Sequence, residues 1–183
     1  FDIDQILTDN SIVEPGNIQA GNISLNATEN ITITDNSTIS AATSGRSLQG
    51  GNVNITTSNL LTVQDNSTVR VDSEGLATGG NIAISSGFFT LDNNGQVFAT
   101  TASGEGGLLD IKVNNTLELG NGSTISTEAA EAGNGGNINL DTNFIFAYPN
   151  QNNDIIANAG TGSGGNINIT TDFLFGLEER ALN

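Results

Sequence analysis

Short segments of alternating aliphatic and polar residues recur along the chain at a nearly constant interval. Each follows a glycine pair, and its second and fourth residues are aliphatic, as in Asn52–Ile55 and Asn137–Leu140. A period of two residues places these aliphatic side chains on one face of a β-strand. The glycine pairs stand about 29 residues apart, at positions 50–51, 79–80, 106–107, 135–136 and 164–165. An Ala-Gly pair at 20–21 occupies the equivalent position one repeat earlier.

Two further alternating segments follow within each repeat, as in Leu61–Val63 and Ser67–Val69. A corner of Asn, Asp or Gly separates the two, and these residue types favour left-handed or Asx-turn geometry. No window has the 3.6-residue period of an amphipathic helix. The sequence therefore predicts an all-β chain with three short strands per repeat. The predicted corners are Asp35–Asn36, Asp65–Asn66, Asn93–Asn94, Asn121–Gly122 and Asn152–Asn153.

Repetition of this kind predicts a parallel β-solenoid, in which turns stack at about 4.8 Å and equivalent residues form columns. No single turn could bury its aliphatic side chains, so stacking creates the core. One predicted inward column contains Ile23, Val53, Ile82, Leu109, Ile138 and Ile167. The predicted whole turns are residues 21–50, 51–79, 80–106, 107–135 and 136–164, flanked by partial turns at 1–20 and 165–183.

The fifth turn departs from the pattern because it carries an aromatic cluster. Phe144, Phe146 and Tyr148 precede Pro149, which cannot donate a ladder hydrogen bond. We expect a local bulge or outward kink at this point, with the aromatic side chains packed into a widened turn. The alternative is that the three rings form a contact patch for a sugar or a protein.

Composition narrows the possible functions. The chain has 4 basic and 20 acidic residues, a net charge of −16, and no His or Cys. A nucleic-acid or anionic-membrane partner is therefore not expected. Without His or Cys there is no histidine base, thiol nucleophile, zinc site, haem or iron–sulfur site, and we expect no cofactor. No apolar run approaches the roughly 20 residues of a membrane-spanning helix, so membrane insertion is not expected.

A glycan-processing enzyme is the first alternative, because parallel β-helices include polysaccharide lyases and hydrolases. A lyase needs a cationic base beside a carboxylate cluster, and a hydrolase needs two carboxylates facing one groove. The four cations, however, occupy different phases of the repeat and hence different faces. We therefore predict no catalytic residues. These cations are Arg46, Arg70, Lys112 and Arg180.

A calcium-stabilised matrix protein is the second alternative. Asp35 and Asp65 occupy the same corner of adjacent turns, and carboxylate oxygens are the ligands that Ca²⁺ prefers. No calcium-binding nonapeptide repeat or EF-hand spacing is present. We therefore expect the two aspartates to cap turns, and no metal site is predicted.

Several phrases resemble filamentous-haemagglutinin-like exoproteins, especially the large cyanobacterial ones. They are the Gly-Gly-Asn-Ile-Asn segments at 135–140 and 164–169, the stretch 149–158, and the Phe-Leu-Phe-Gly-Leu-Glu phrase at 173–178. The resemblance implies a right-handed β-helix that is exported through a dedicated outer-membrane pore. Such proteins serve as bacterial surface adhesins or extracellular fibres.

The chain lacks the Asn-Pro-Asn motifs of that family's secretion domain, since its only prolines are Pro15 and Pro149. The resemblance therefore points to the repeat shaft. We expect a secreted, non-catalytic segment at the bacterial surface, whose partners are surface or matrix glycans or proteins. Unpaired strand edges leave two alternatives: further turns continue the stack beyond this sequence, or copies stack end to end into a filament.

Overall fold

A computed structural model describes residues 6–7, 21–43, 50–73, 78–102, 104–130 and 132–179. Within these ranges the chain consists of strands, turns and bends, without a helix. The strands are β1 (Ile6–Leu7), β2 (Ile23–Ala27), β3 (Ile31–Ile33), β4 (Thr38–Ser40), β5 (Val53–Thr57), β6 (Leu60–Val63), β7 (Thr68–Ser73), β8 (Ile82–Ser86), β9 (Phe88–Leu91), β10 (Gln96–Thr101), β11 (Leu108–Leu119), β12 (Thr124–Ser126), β13 (Asn137–Ala147), β14 (Asp154–Ile156) and β15 (Ile167–Phe175).

The chain is a parallel β-solenoid of about five turns, as the repeat predicts. Each strand pairs in parallel with the equivalent strand of the next turn, for example Val53 with Ile82 and Ile138 with Ile167. The third strands form one sheet in the order β1-β4-β7-β10-β12-β14, and the first and second strands form the other. Turn one contains β2–β4, turn two β5–β7, turn three β8–β10, turn four β11–β12 and turn five β13–β14.

The prediction of three strands per turn is correct for turns one to three and wrong for turn four onwards. There the first two strands join into single long strands, β11, β13 and β15. The ladder continues through the corner because the Asn115 amide donates to the carbonyl of Gly87, 2.9 Å away. Where the first and second strands would otherwise separate, the β11–β13 pairing shows only a register shift between Val113 and Thr116.

The aliphatic columns lie inside the coil, as predicted. In the middle turns their side chains are almost fully buried, whereas Leu25, Ile31 and Ile155 are half-buried; the aromatic ring of Phe89, which shares the inward side, is 0% exposed. Ile167 is 41% exposed because it lies on β15, which pairs only with β13 among the described residues. The first-strand column contains Ile23, Val53, Ile82, Leu109 and Ile138.

The predicted corners adopt the left-handed conformation. Positive φ angles occur at Asp35, Asn36, Asp65, Asn66, Asn93, Asn94, Asn121 and Gly122. The fifth corner is displaced by one residue from the prediction, since Asn150 and Asn152 have positive φ while Asn153 does not. Turn five has an additional Pro149–Asn150 turn before this corner, which the repeat pattern does not include.

The glycine pairs mark the closest approach between turns. A Cβ atom built on Gly80, Gly107 or Gly136 would collide with the carbonyl oxygen of the equivalent glycine in the preceding turn. An asparagine follows every one of these glycine pairs except Gly106–Gly107, where Leu108 stands, and its side chain links turns: Asn52 donates from Nδ2 to Asn22 Oδ1 at 2.9 Å. The glycines are therefore required by contact between backbones, and the asparagines tie consecutive turns together.

The predicted bulge is absent from residues 144–147 of turn five, whereas the chain leaves the ladder in the extra turn at Pro149–Asn150. Residues 144–147 pair in register with β11, and residues 144–146 pair with β15. Ile145 and Ala147 occupy the inward positions and are buried, so the rings need no space inside the coil. Pro149 lies in the turn after β13, outside the ladder. The predicted partial turn at 1–20, except Ile6 and Leu7, lies outside the described residues, as do residues 44–49, 74–77, 103 and 131 of the closing loops and residues 180–183.

Candidate binding surface

The three aromatic residues of turn five project outward from the second-strand part of the sheet that the first and second strands form. Phe144 is 48% exposed, and Phe146 and Tyr148 are similarly open. The expectation that they pack into a widened turn is therefore wrong. Alternation along β13 explains their direction, because Ile145 and Ala147 align with the buried Leu117 and Leu119 of turn four.

The neighbouring strand β15 adds two further aromatic residues to this surface. Phe173 and Phe175 of β15 lie directly beside Phe144 and Phe146, and both are exposed. We call the five outward side chains of Phe144, Phe146, Tyr148, Phe173 and Phe175 the aromatic face. Sequence reasoning missed the two residues of β15, although their offset of one repeat from the first pair was a usable signal.

Ring contacts hold part of the aromatic face in place. Phe146 and Phe175 stack with their ring centroids 4.8 Å apart and their planes 26° from parallel. Tyr148 meets Phe146 edge to face at 5.7 Å. Both geometries are favourable for the aromatic quadrupole, so Phe146, Tyr148 and Phe175 support one another in the absence of a partner.

The Tyr148 hydroxyl links turn five to turn four. It donates a hydrogen bond of 2.6 Å to Oε1 of Glu118. This hydrogen bond, together with repulsion between the carboxylate and an ionised phenolate, raises the pKa of Tyr148 above its ordinary value of 10.0. Tyr148 therefore stays neutral and remains a hydrogen-bond donor to Glu118 across the physiological range.

A groove of about 240 Å³ opens beside Tyr148. It exists because Gly120 lacks a side chain: a Cβ there would lie 2.6 Å from Oδ1 of Asp92. Its polar rim is held by hydrogen bonds, since Asn121 donates from Nδ2 to Asp92 (2.8 Å) and from its backbone amide to Gln151 (2.9 Å). The lining residues are Thr90, Leu91, Asp92, Glu118, Gly120, Asn121, Tyr148 and Gln151.

A second, shallower groove of about 530 Å³ lies on the third-strand sheet. Arg70 lines this groove and forms an ion pair with Asp72 at 3.1 Å. Asp72 also accepts a hydrogen bond of 2.7 Å from Thr100. Lys112 lies on β11 in the other sheet. The two described cations are therefore on different faces, in agreement with their repeat phases, while Arg46 and Arg180 lie outside the described residues.

The candidate calcium ligands are turn residues in the structure. Asp65 accepts hydrogen bonds from Asn93 Nδ2 and Thr34 Oγ1 at 2.8 Å each, and from Gln64 Nε2 at 3.1 Å. These donors, Asn93 first, lower the pKa of Asp65 below 3.8. Asp35 stands one turn away at the equivalent position with φ near 60°. Within the described ranges, no three carboxylates gather into a group that could hold a metal ion.

Comparison with protein-family models, with curated proteins and with solved structures finds no match to this chain. Within the described residues there is also no helix long and apolar enough to cross a membrane. Fold and surface together define the class: a parallel β-solenoid with one aromatic outer face beside a carboxylate-lined groove.

Proposed function

We propose that this chain is a non-catalytic structural segment of a secreted bacterial surface adhesin or extracellular fibre. The observation that carries the proposal is the continuous inward column from turn to turn, which makes the whole described stack one extended core. Solenoids of this kind are stabilised by contacts between neighbouring turns, so further turns can lengthen the stack while each turn keeps the same structure. The resemblance of residues 135–180 to exported repeat proteins supports the same role.

The distribution of charge also supports a scaffold. Acidic residues occupy outward or corner positions, such as Asp35, Asp65 and Asp110. A net charge of −16 keeps such a molecule soluble and opposes lateral aggregation. Exposed strand edges are an aggregation hazard for any solenoid, and the charge counters that hazard along its sides.

Labelling of intact cells of the source organism tests this role. Antibodies raised against the chain should bind cells without permeabilisation, and brief protease treatment of intact cells should remove the signal. Labelling that appears only after permeabilisation would overturn the proposal. A cytoplasmic protein of the same cells, probed in parallel, is the control for membrane integrity.

End-to-end joining of copies is part of the fibre proposal. The outer edge of β15 is unpaired among the described residues, and the inward-type side chains of Ile167, Ile169 and Leu174 are partly exposed there. Another copy could pair with this edge and cover them, forming an open filament. Sedimentation velocity should then show species that grow with concentration, and a single monomeric species at all concentrations would contradict filament formation.

A glycan-processing enzyme is the second candidate, because Asp92 and Glu118 line the same groove. Hydrolases use two carboxylates, one as acid and one as base or nucleophile. On the scaffold proposal, no reducing ends are released when the chain is incubated with neutral or uronic-acid polysaccharides. Release that disappears in both Asp92→Asn and Glu118→Gln would establish the enzyme instead.

A further inference from the structure

We propose that the aromatic face and the groove beside Tyr148 bind a neutral polysaccharide. The proposal goes beyond the scaffold role and does not depend on where the solenoid is displayed. It rests on three observations: the exposed rings of turn five and of β15, the carboxylates and amides of the groove beside Tyr148, and the charge of the chain.

The aromatic face is built on a hydrogen-bonded ladder of parallel strands. Outward side chains two residues apart on a strand are about 7 Å apart, and neighbouring strands are about 4.8 Å apart. β13 is hydrogen-bonded on both sides, to β11 and β15. The most exposed rings, Phe144 at 48% and Phe173 at 54%, lie at one end of the face, and Tyr148 lies at the other.

The exposure of Phe144 and Phe146 does not result from the open edge of β15. A strand added to that edge would bury inward side chains such as Ile167 and Leu174, which lie within the stack. Phe144 and Phe146 already have paired strands on both sides and are still exposed. These two rings of the aromatic face are thus exposed independently of that edge.

The chemistry of the face matches a pyranose ring. The axial C–H groups of a sugar carry partial positive charge and are attracted to the negative face of an aromatic ring. Sugar hydroxyls need acceptors and donors beside that ring, and the groove supplies carboxylate oxygens from Asp92 and Glu118 and amide groups from Asn121 and Gln151. A largely apolar surface with a few polar groups at its border is typical of small-molecule sites.

Charge and area select this partner among the alternatives. Electrostatic repulsion disfavours anionic partners, because Asp92 and Glu118 line the groove and the chain has a net charge of −16. These partners are uronic-acid or sulfated polymers, nucleic acids and anionic lipids. The five rings are 39–54% exposed, which corresponds to an area on the order of 500 Å². A standard protein interface covers about 800 Å² per partner, so the face is small for a protein or a second copy.

Affinity electrophoresis of the chain in native gels tests the proposal. The gels contain hydroxyethyl cellulose, glucomannan or dextran as neutral polymers, and alginate or pectate as anionic ones. We expect at least one neutral polymer, and no anionic one, to retard the wild-type chain. The double variant Phe144→Thr, Phe173→Thr should bind about tenfold more weakly, since each ring contributes a separate contact.

The chain offers a matched control in Phe88→Thr. Phe88 lies on the same outward column two turns before Phe144 and is 42% exposed, and Thr116 occupies the position between them. Threonine is therefore a residue that this column already accepts. The control should bind the neutral polymer as the wild type does, and both variants should retain the wild-type circular dichroism spectrum.

Nuclear magnetic resonance titration of the wild-type chain with cellohexaose and mannohexaose gives a readout that needs no variant. Shifts should cluster on residues 144–148 and 173–175 and on the groove. No retardation by any neutral polymer, or equal weakening by the Phe88 control, would overturn the proposal. So would self-association, or flotation with phosphatidylcholine vesicles, that the double variant abolishes.

Discussion

Replacing Gly107 by Ala measures how tightly the turns are stacked. A Cβ at this position would collide with the carbonyl oxygen of Gly80 and would also lie 3.0 Å from the Cβ of Ala99. The first contact is with backbone, which cannot rotate away as a side chain end can. Turns three and four would have to separate locally, although ladder bonds hold them together on every side.

The expected loss of stability follows from three terms. Overpacking a well-filled interior costs about 1–3 kcal/mol, and the displacement strains neighbouring ladder bonds worth about 1 kcal/mol each. The lower entropy of Ala in the unfolded chain offsets about 0.4–1 kcal/mol. We therefore expect Gly107→Ala to lose about 3 kcal/mol of unfolding free energy.

Gly21→Ala is the matched control, because Gly21 begins turn one at the equivalent position and, among the residues that the structure describes, a Cβ there meets nothing within 4 Å. Its unfolding free energy should change by less than about 1 kcal/mol. Urea unfolding followed by far-ultraviolet circular dichroism measures both variants. If Gly107→Ala loses less than about 1 kcal/mol, or if both variants lose the same amount, backbone contact is not the reason for the glycine column.

Three other predictions concern the core, the groove and the corners. Phe89→Ala should cost about 3–5 kcal/mol in urea unfolding, whereas Phe88→Ala, one residue away but exposed, should cost under about 1 kcal/mol; similar losses would contradict the inward alternation. The chain has one tyrosine, so its ionisation can be followed at 295 nm, and Glu118→Gln should lower the pKa of Tyr148 toward 10.0. Because the pKa of Tyr148 is raised in the folded state, the Tyr148–Glu118 hydrogen bond contributes stability below pH 10. That stability is lost as the pH rises through the folded pKa. The lowered pKa of Asp65 contributes stability above pH 3.8 that is lost as the pH falls through the folded pKa; Asp65→Asn should flatten this acid dependence of the unfolding midpoint, and an unchanged slope would refute it.

The architecture was predictable because the repeat carries its information many times over. Inward columns, left-handed corners and amide ladders each follow from a residue type that recurs at the same place in successive turns. In a period-two pattern, one aligned pair such as Val53 and Ile82 settles the direction of every neighbouring side chain. The glycine column is equally readable, since only a residue without a Cβ can stand where two backbones touch.

The aromatic face was harder to predict because both sides of its strand are apolar. In the segment 144–147, two large rings alternate with Ile145 and Ala147, so hydrophobicity alone favours burying the rings. Alignment with Leu117 and Leu119 of the preceding turn decides the direction, and the inner space accepts the smaller residues. The groove depends on side-chain placement around Gly120, which comes from three different turns and leaves no pattern in the local sequence.

The direction of the ladder has a mechanical consequence. Hydrogen bonds between turns run along the solenoid axis, so a pull on the two chain ends would open them one rung at a time instead of shearing a whole sheet at once. Each turn of about 29 residues would then release roughly 100 Å of extended chain. On the proposed surface role, a cell held through this chain would meet a series of small yielding steps, and the remaining turns would keep their structure.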